Sequence, residues 1–290
     1  MTDLSVIIVS YNSAAYLDWC LDSLDRYLDG VSSEVCVVDN TSTDGSPDRV
    51  RRRPHVQLVA NAANRGFAAA VNQGLAATTG RFVLWLNPDS ALLDAGVRGL
   101  LDHLEAHPEV GIVGPRILDP DGSLQRSARA FPSYDWAVGH RHSLLTRLFP
   151  NNPYSRRYLL VDLDPANPRD VDWVSGACLL HRRDLVTRIG GLDEIFFMYC
   201  EDVDFCLRAR QAGWTVHYHP GLQVVHQVAG STRQRSRAML VERHRSLWRY
   251  YKKHFRRHAL VDPVAWAAIW GRCGLVVAQD AARALWGGHA

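Results

Sequence analysis

Four short apolar runs rich in β-branched residues, at 4–10, 34–39, 56–60 and 81–86, alternate with stretches of helical periodicity. No other feature constrains the fold as much. Strands that are apolar along their whole length need cover on both faces, and helices between them supply it. The pattern predicts an α/β fold with a mostly parallel sheet and flanking helices. Asn12 or Ser13 is placed to cap a first helix in which Tyr16, Leu17, Cys20, Leu21 and Leu24 recur at helical spacing. Residues 66–77 (GFAAAVNQGLAA) predict a small-residue helix, followed later by a helix over 94–106 and a strand at 110–113.

Polar residues gather where these strands end: Tyr11-Asn12, Asp39-Asn40 and Asn87-Pro88-Asp89. Open α/β sheets bind ligands outside the carboxyl ends of their strands, so a nucleotide or sugar pocket is expected there. Residues 119–172 turn to Pro, Asp, Asn and Arg, with Trp136 and Trp173 at hand, which suits substrate-facing loops. Strand character returns at 172–180, a helix is expected over 201–212, and two short strands at 215–219 and 223–226.

The chain has 290 residues, 47% of them hydrophobic and 22% charged, which argues against disorder. Its six cysteines include no C-x-x-C pair, so zinc or redox motifs are not indicated and free thiols are expected. MTDLSVIIVSYN lacks the basic start and long apolar run of a signal peptide, and no run spans a bilayer, so a cytoplasmic location is expected. The net charge of +3 is unevenly spread: residues 231–258 hold ten Lys/Arg against the single acid Glu242.

Several residues admit two readings. Asp89 in Asn87-Pro-Asp-Ser90 is a carboxylate for a divalent cation, or a turn and helix cap. Asp39 accepts from a base or ribose, or makes an Asx-turn, a role that suits Asp44 better. Arg65 and Gly66 open a helix where a phosphate could approach, or form a turn before an Ala-rich helix. His226 is a metal ligand or a core histidine, while His217 and His219, flanking Tyr218, read as structural. In FMYCEDVDFCLRARQAGW, at 197–214, Glu201 and Asp204 share a helix face with Arg208, and Asp202 lies about 100° round. Acids favour a helix N-terminus, yet an acid at an apolar pocket also suits a general base. Spacing leaves Glu201 and Asp202 tied.

The ordered set VSYN, VVDNTSTDGS, NRGFAAAVNQG, FVLWLNPDS, GGLDEIFFMYCEDVDFCLRARQAGW and VVHQVAG, spread over residues 3–230, resembles glycosyltransferase family 2, inverting enzymes of GT-A (Rossmann-like) fold. Within it the pattern is most similar to bacterial rhamnosyltransferases of cell-wall and O-antigen assembly, where N-P-D replaces D-x-D. The resemblance implies a catalytic domain over 1–230, with a nucleotide-sugar half (1–115) and an acceptor half (116–230), and a helical extension over 231–290. It implies Asp202 as catalytic base and Glu201, Trp173, Ser175 and Gly176 on the acceptor side. Ser10, Tyr11, Asn12, Asp39, Asn40, Arg65, Gly66, Phe67, Asn72, Asn87 and Asp89 would line the nucleotide-sugar site. Asp89 and His226 would hold Mg2+ or Mn2+. The implied donor is dTDP-L-rhamnose, with a UDP-sugar as alternative, and the acceptor a glycan or polyprenyl-diphosphate-linked sugar. A non-catalytic nucleotide-sugar-binding protein on the same fold is the competing class.

The extension mixes Trp248, Tyr250, Tyr251 and Phe255 with basic residues, and Met239, Leu240, Leu247 and Tyr251 make an apolar stripe. It reads equally as a peripheral contact with the inner face of the plasma membrane and as a helix packed on the catalytic domain or a homodimer partner. Trp266, Trp270 and Trp286 belong to an interfacial or packing helix, not a span. No nucleic-acid recognition module is visible.

Overall fold

The computed structural model describes residues 2–132, 148–149, 152–160, 164–227, 237–255, 259 and 261–286. Trp136, the VAG of VVHQVAG, residues 231–236 and the Trp286 side chain lie outside that description.

The expected alternation is present. Strands β1 (Leu4–Ser10), β2 (Ser33–Asp39), β3 (Val56–Ala60) and β4 (Phe82–Leu86) alternate with helices α1 (Ala14–Tyr27), α2 (Ser46–Arg51) and α3 (Phe67–Ala77). Then come β5 (Ser90–Leu92), α4 (Val97–Ala106), β6 (Val110–Leu118), β7 (Ala128–Arg129), α5 (Pro153–Tyr158), β8 (Arg169–Asp170), β9 (Trp173–Val174) and β10 (Cys178–Arg182). The chain continues through α6 (Arg183–Ile189), α7 (Glu201–Gln211), β11 (Thr215–His226), α8 (Arg237–His254) and α9 (Asp262–Trp286).

The main sheet has the order β3-β2-β1-β4-β10-β6-β11-β5, with β8 paired to β11. Strands β1–β4 are mutually parallel, as are β6 and β11. Strand β10 enters antiparallel between β4 and β6, and β5 pairs antiparallel with β11. Alternation along β1 divides the core. Leu4, Val6 and Ile8 meet Leu17, Leu21 and Leu24 of α1, whereas Ile7 and Val9 belong with Ala70, Val71 and Leu75 of α3. Gly74 lets α3 lie close to β1, since a Cβ there would stand 2.5 Å from the Ile7 Cγ2.

Three local expectations change. The strand expected over 172–180 is two, β9 and β10, broken at Ser175-Gly176-Ala177. The two late strands are one, β11, with a register irregularity between Tyr218 and Gln223 that absorbs Pro220 and Gly221. Helix α1 takes no side-chain cap from Ser13. Asp44, from the loop after β2, accepts from the Ala14 N–H at 2.8 Å, and its other oxygen receives the N–H and hydroxyl of Ser46 where α2 begins.

Candidate active site

The parallel register sets Ser10 beside Asp39 and Asp39 beside Ala60, so three strand ends form one rim. Asp39 is buried and accepts from the Ser42 N–H (2.9 Å) and hydroxyl (2.6 Å), a tight Asx-turn. Asn12 joins this rim through its N–H to the Ser42 hydroxyl and its Oδ1 to the Thr43 N–H. Tyr11 is half exposed, and Arg65 is exposed.

Some expected donor-site side chains serve the scaffold instead. The Ser10 hydroxyl is buried against that of Ser13 at 2.8 Å. Asn40 is buried, donating to the Gly66 carbonyl and accepting from Asn61. Asn72 donates to the Leu192 carbonyl and Glu194 and accepts the Leu192 N–H, tying α3 to the segment that leads into α7. Gly66 (φ +84°) does permit a close approach, but the approaching group is Phe197: a Cβ would stand 2.5 Å from the Phe197 carbonyl oxygen, which takes the Phe67 N–H at 2.7 Å.

Beyond β4, Asn87 and Asp89 face His226. Antiparallel pairing of β5 with β11 sets Ser90 opposite His226, and the Gln227 N–H donates to the Asp89 carbonyl. The His226 Nε2 lies 3.4 Å from the Asp89 Oδ1 and 3.5 Å from the Asn87 amide nitrogen. Gln125 fixes the imidazole. Its amide nitrogen donates to Asp119 and to the His226 carbonyl, so its oxygen must accept from His226 Nδ1–H, at 2.9 Å. The neutral ring then carries its lone pair on Nε2, facing a carboxylate oxygen. Two acceptors at that distance call for a proton or a cation between them. One carboxylate, one imidazole and a supporting amide on the other ring nitrogen are donors that suit a divalent ion. Among the described residues, no three His, Cys, Asp or Glu side chains form a complete cage.

The first turn of α7 holds the three acids. It is reached through two consecutive left-handed residues, Tyr199 (φ 70°) and Cys200 (φ 68°), a conformation that costs on the order of 1–3 kcal/mol each. Glu201 is buried and its Oε2 has no hydrogen-bond partner. Burial, then the Asp202 charge, pushes its carboxyl well above the usual range. Asp202 stays partly exposed, and its oxygens accept from the N–H groups of Gly176 (3.0 Å) and Val203 (2.8 Å). Burial raises its carboxyl too, opposed by those N–H groups and by Arg129. Asp204 is fully buried and receives Arg208 Nε at 2.7 Å, His254 Nε2 at 2.7 Å and Lys253 Nζ at 2.6 Å. Burial alone would raise it, but these partners bring it down to about 2.

The β9–β10 break connects the two regions. Gly176 donates to Asp202, and the next residue, Ala177, accepts the Asn87 N–H. Ser175 braces this strap through its hydroxyl to the Ala177 N–H at 3.3 Å. Trp173 does not offer a stacking face. It is 7% exposed, donates Nε1–H to the Ala130 carbonyl, and lies under the Arg129 guanidinium at 5.4 Å. Its position follows from β9 pairing with β7, a contact with no local signal in the sequence.

Helix α8 packs back on this region. Ser246 donates to the Met198 carbonyl at 2.7 Å, Tyr250 is buried, and Lys253 also pairs with Asp193. The buried residues are Glu242, His244, Ser246 and Tyr250, not the expected stripe of Met239, Leu240, Leu247 and Tyr251, which is half-buried. On α9, Val264, Trp266 and Leu275 are exposed. No helix among the described residues is long and apolar enough to cross a membrane.

Residues 5–161 match the model of glycosyl transferase family 2. The chain is 38% identical over 261 residues to N-acetylglucosaminyl-diphospho-decaprenol L-rhamnosyltransferase of Mycobacterium tuberculosis, covering 86% of this chain and 84% of that one. Two solved structures share the fold. A mannosyltransferase of Pyrobaculum calidifontis in complex with GDP-Man and Mn2+ superposes with a TM-score of 0.57 at 21% identity, over 97% of this chain and 80% of that one. GalNAc-T7 with UDP, GalNAc and Mn2+ gives 0.57 at 18% identity, over 78% of this chain and 44% of that one. The motif order, the sheet and these matches agree: the chain is a glycosyltransferase of family 2 with the GT-A fold.

Proposed function

We propose that this enzyme transfers L-rhamnose from dTDP-L-rhamnose to a hydroxyl of a polyprenyl-diphosphate-linked N-acetylglucosamine, with inversion. The observation that carries the mechanism is Asp202: partly exposed at the start of α7 and tied by the Gly176 N–H to the strap beside Asn87. The donor and acceptor follow the similarity to the mycobacterial rhamnosyltransferase over most of both chains.

In this reading Asp202 takes the proton of the acceptor hydroxyl as its oxygen attacks the anomeric carbon, and the bond to the nucleotide diphosphate breaks on the opposite face. Glu201, whose carboxyl is pushed well above the usual range by burial and by the Asp202 charge, orients the acceptor or Asp202. Asp89 and His226 hold the divalent cation, Mg2+ or Mn2+, with Gln125 keeping the His226 lone pair on Nε2. When bound, that ion offsets the charge of the departing diphosphate. Asp39 and Tyr11 bound the base pocket, with Arg65 and Asn87 lining the phosphate and sugar side. Residues 1–115 serve the donor and 116–230 the acceptor, except that Gln125 and His226 reach back to the diphosphate side. The exposed Val264, Trp266 and Leu275 of α9 rest on the inner face of the plasma membrane, where a polyprenyl acceptor resides. Removal of α9 should then reduce liposome co-sedimentation; undiminished binding would rule that contact out.

Asp202→Asn is the test of the base. It should bind donor as the wild type does, in a titration of dTDP-rhamnose with Mn2+, while turnover collapses. Near-wild-type turnover would remove Asp202 from the mechanism.

A further inference from the structure

The segment from Asp193 to Asp204 carries Glu201 and Asp202 near its end, and helix α8 grips it along its length. Near the middle, the Ser246 hydroxyl donates to the Met198 carbonyl at 2.7 Å. At the far end, His254 Nε2 lies 2.7 Å from Asp204 Oδ1. Lys253 spans the whole segment. Its Nζ lies 2.6 Å from Asp193 Oδ2 and 2.6 Å from Asp204 Oδ1, and 5.8 Å from the centre of the buried Phe196 ring. Asp193 and Asp204 are eleven positions apart, so one ammonium ties the two ends together.

The two ends do not depend on it equally. Asp204 also receives Arg208 and His254. Asp193 has no second cation among the described residues; its other oxygen accepts the Ile195 N–H at 3.1 Å. Loss of the ammonium therefore leaves the Asp204 end held and frees the Asp193 end. The anchors on the approach all precede Asp193: Arg208 on the Ile189 and Gly191 carbonyls, and Asn72 on Leu192. Beyond it, single hydrogen bonds hold the Phe197 and Met198 carbonyls, and neither fixes the peptides that follow. Those peptides belong to Tyr199 and Cys200, both with positive φ. Such backbone persists only where its surroundings over-determine it. Relaxation of this pair would turn the first residues of α7, and with them Asp202, away from the Gly176 N–H that its carboxylate meets at 3.0 Å.

We propose that Lys253 is a positioning residue for transfer: by bridging Asp193 and Asp204 it keeps the first turn of α7 against the strap, so that transfer depends on the C-terminal extension. Lys253 acts through Asp193 and the strained pair, not on the reacting atoms. Its bearing on the chemistry rests on Asp202 being the base. The extension then serves transfer whether or not a membrane is present.

A double-mutant cycle in the full-length chain tests this, with wild type, Asp193→Asn, Lys253→Met and the double variant. N-acetylglucosamine linked through a diphosphate to a short alkyl chain serves as acceptor and keeps the assay free of membrane. At saturating substrates and well below each melting temperature, either single variant should lower kcat by about 10–10²-fold, the scale of a displacement near 1 Å at the reacting groups. The double variant should fall no further than the weaker single, because both remove one bridge. Lys253→Arg, which keeps the cation, should recover most of kcat. Amide exchange at Gly176 should quicken in Lys253→Met while that of β1 does not change. That exchange reads where Asp202 sits without assuming what it does, so it separates failure of the bridge from failure of Asp202 as base. Wild-type kcat in Lys253→Met, Gly176 exchange at the wild-type rate, or losses that multiply in the double variant would each overturn the assignment, even where the melting temperature falls.

Discussion

The first turn of α7 and the β5–β11 edge build chemistry in opposite ways. In α7 three acids are neighbours in sequence, and their surroundings drive them apart. Glu201 is buried with an unpartnered oxygen, Asp202 is partly exposed with two backbone donors, and Asp204 is buried among Arg208, Lys253 and His254. At the β5–β11 edge the reverse holds, because antiparallel pairing brings together Asp89 and His226, residues remote in the chain. Adjacency in sequence says little about shared function, while pairing register can make partners of distant residues.

The sharpest way to break the α7 half of this comparison is to neutralise the two neighbours in turn. Asp202→Asn should lower kcat by about 10²–10⁴-fold, the usual worth of a general base, at unchanged donor affinity. Glu201→Gln should cost far less, because burial already disfavours the charged form of that carboxyl. Equal losses in the two variants would show that their environments do not separate them.

Next in size is the structural acid. Asp204→Ala leaves Arg208, Lys253 and His254 around a buried site without their counter-charge, and should cost about 3–5 kcal/mol in urea unfolding. Its carboxyl is depressed in the folded state to about 2. Its contribution is therefore complete above the ordinary aspartate range and is lost as pH falls towards that value. Wild-type unfolding between pH 5 and 2 should steepen relative to the variant.

At the β5–β11 edge, Gln125→Ala removes the acceptor that holds His226 Nδ1–H. Metal affinity, read by Mn2+ titration, should fall by about 10–100-fold, with the fold intact. An unchanged titration would mean that the tautomer needs no support. The smallest effect belongs to Glu201 as a stability group. Its carboxyl is raised in the folded state, so ionisation opposes folding as pH climbs above the ordinary glutamate range. Glu201→Gln should thus gain stability relative to wild type from pH 5 to 8, the opposite slope to that expected for Asp204.

The parts of the fold legible in the sequence are those set by local pattern. Strands β1–β4, helix α3 and helix α7 come from continuous apolar runs, small-residue spacing and an N-terminal acid cluster. The strand-end rim follows from their alternation. What escaped needs partners from elsewhere in the chain. The insertion of β10 between β4 and β6 and the three-residue β5 are decided by pairing across the sheet. The cap of α1 comes from Asp44, thirty positions away. Trp173 looked available because an aromatic residue amid polar loops gives no sign of the β7 contact that buries it. Asn72 looked like a donor-site amide because its helix opens near the rim, yet the Leu192 backbone claims it. Gln125 carried no signal at all, being one more polar residue in a loop until β11 places His226 beside it.

The link from Asp204 to α8 also orders events in time. Its partner His254 is made fifty residues later than the acid itself. At ordinary synthesis rates that interval lasts roughly 3–10 s. During it, the helix that begins with Glu201 and Asp202 has only Arg208 to balance a carboxylate destined for the interior. A nascent chain halted before Lys253 should therefore be cut by protease around α7, and one extended past His254 should resist. The active helix is among the last parts of the catalytic body to settle, although most of that body precedes it on the ribosome.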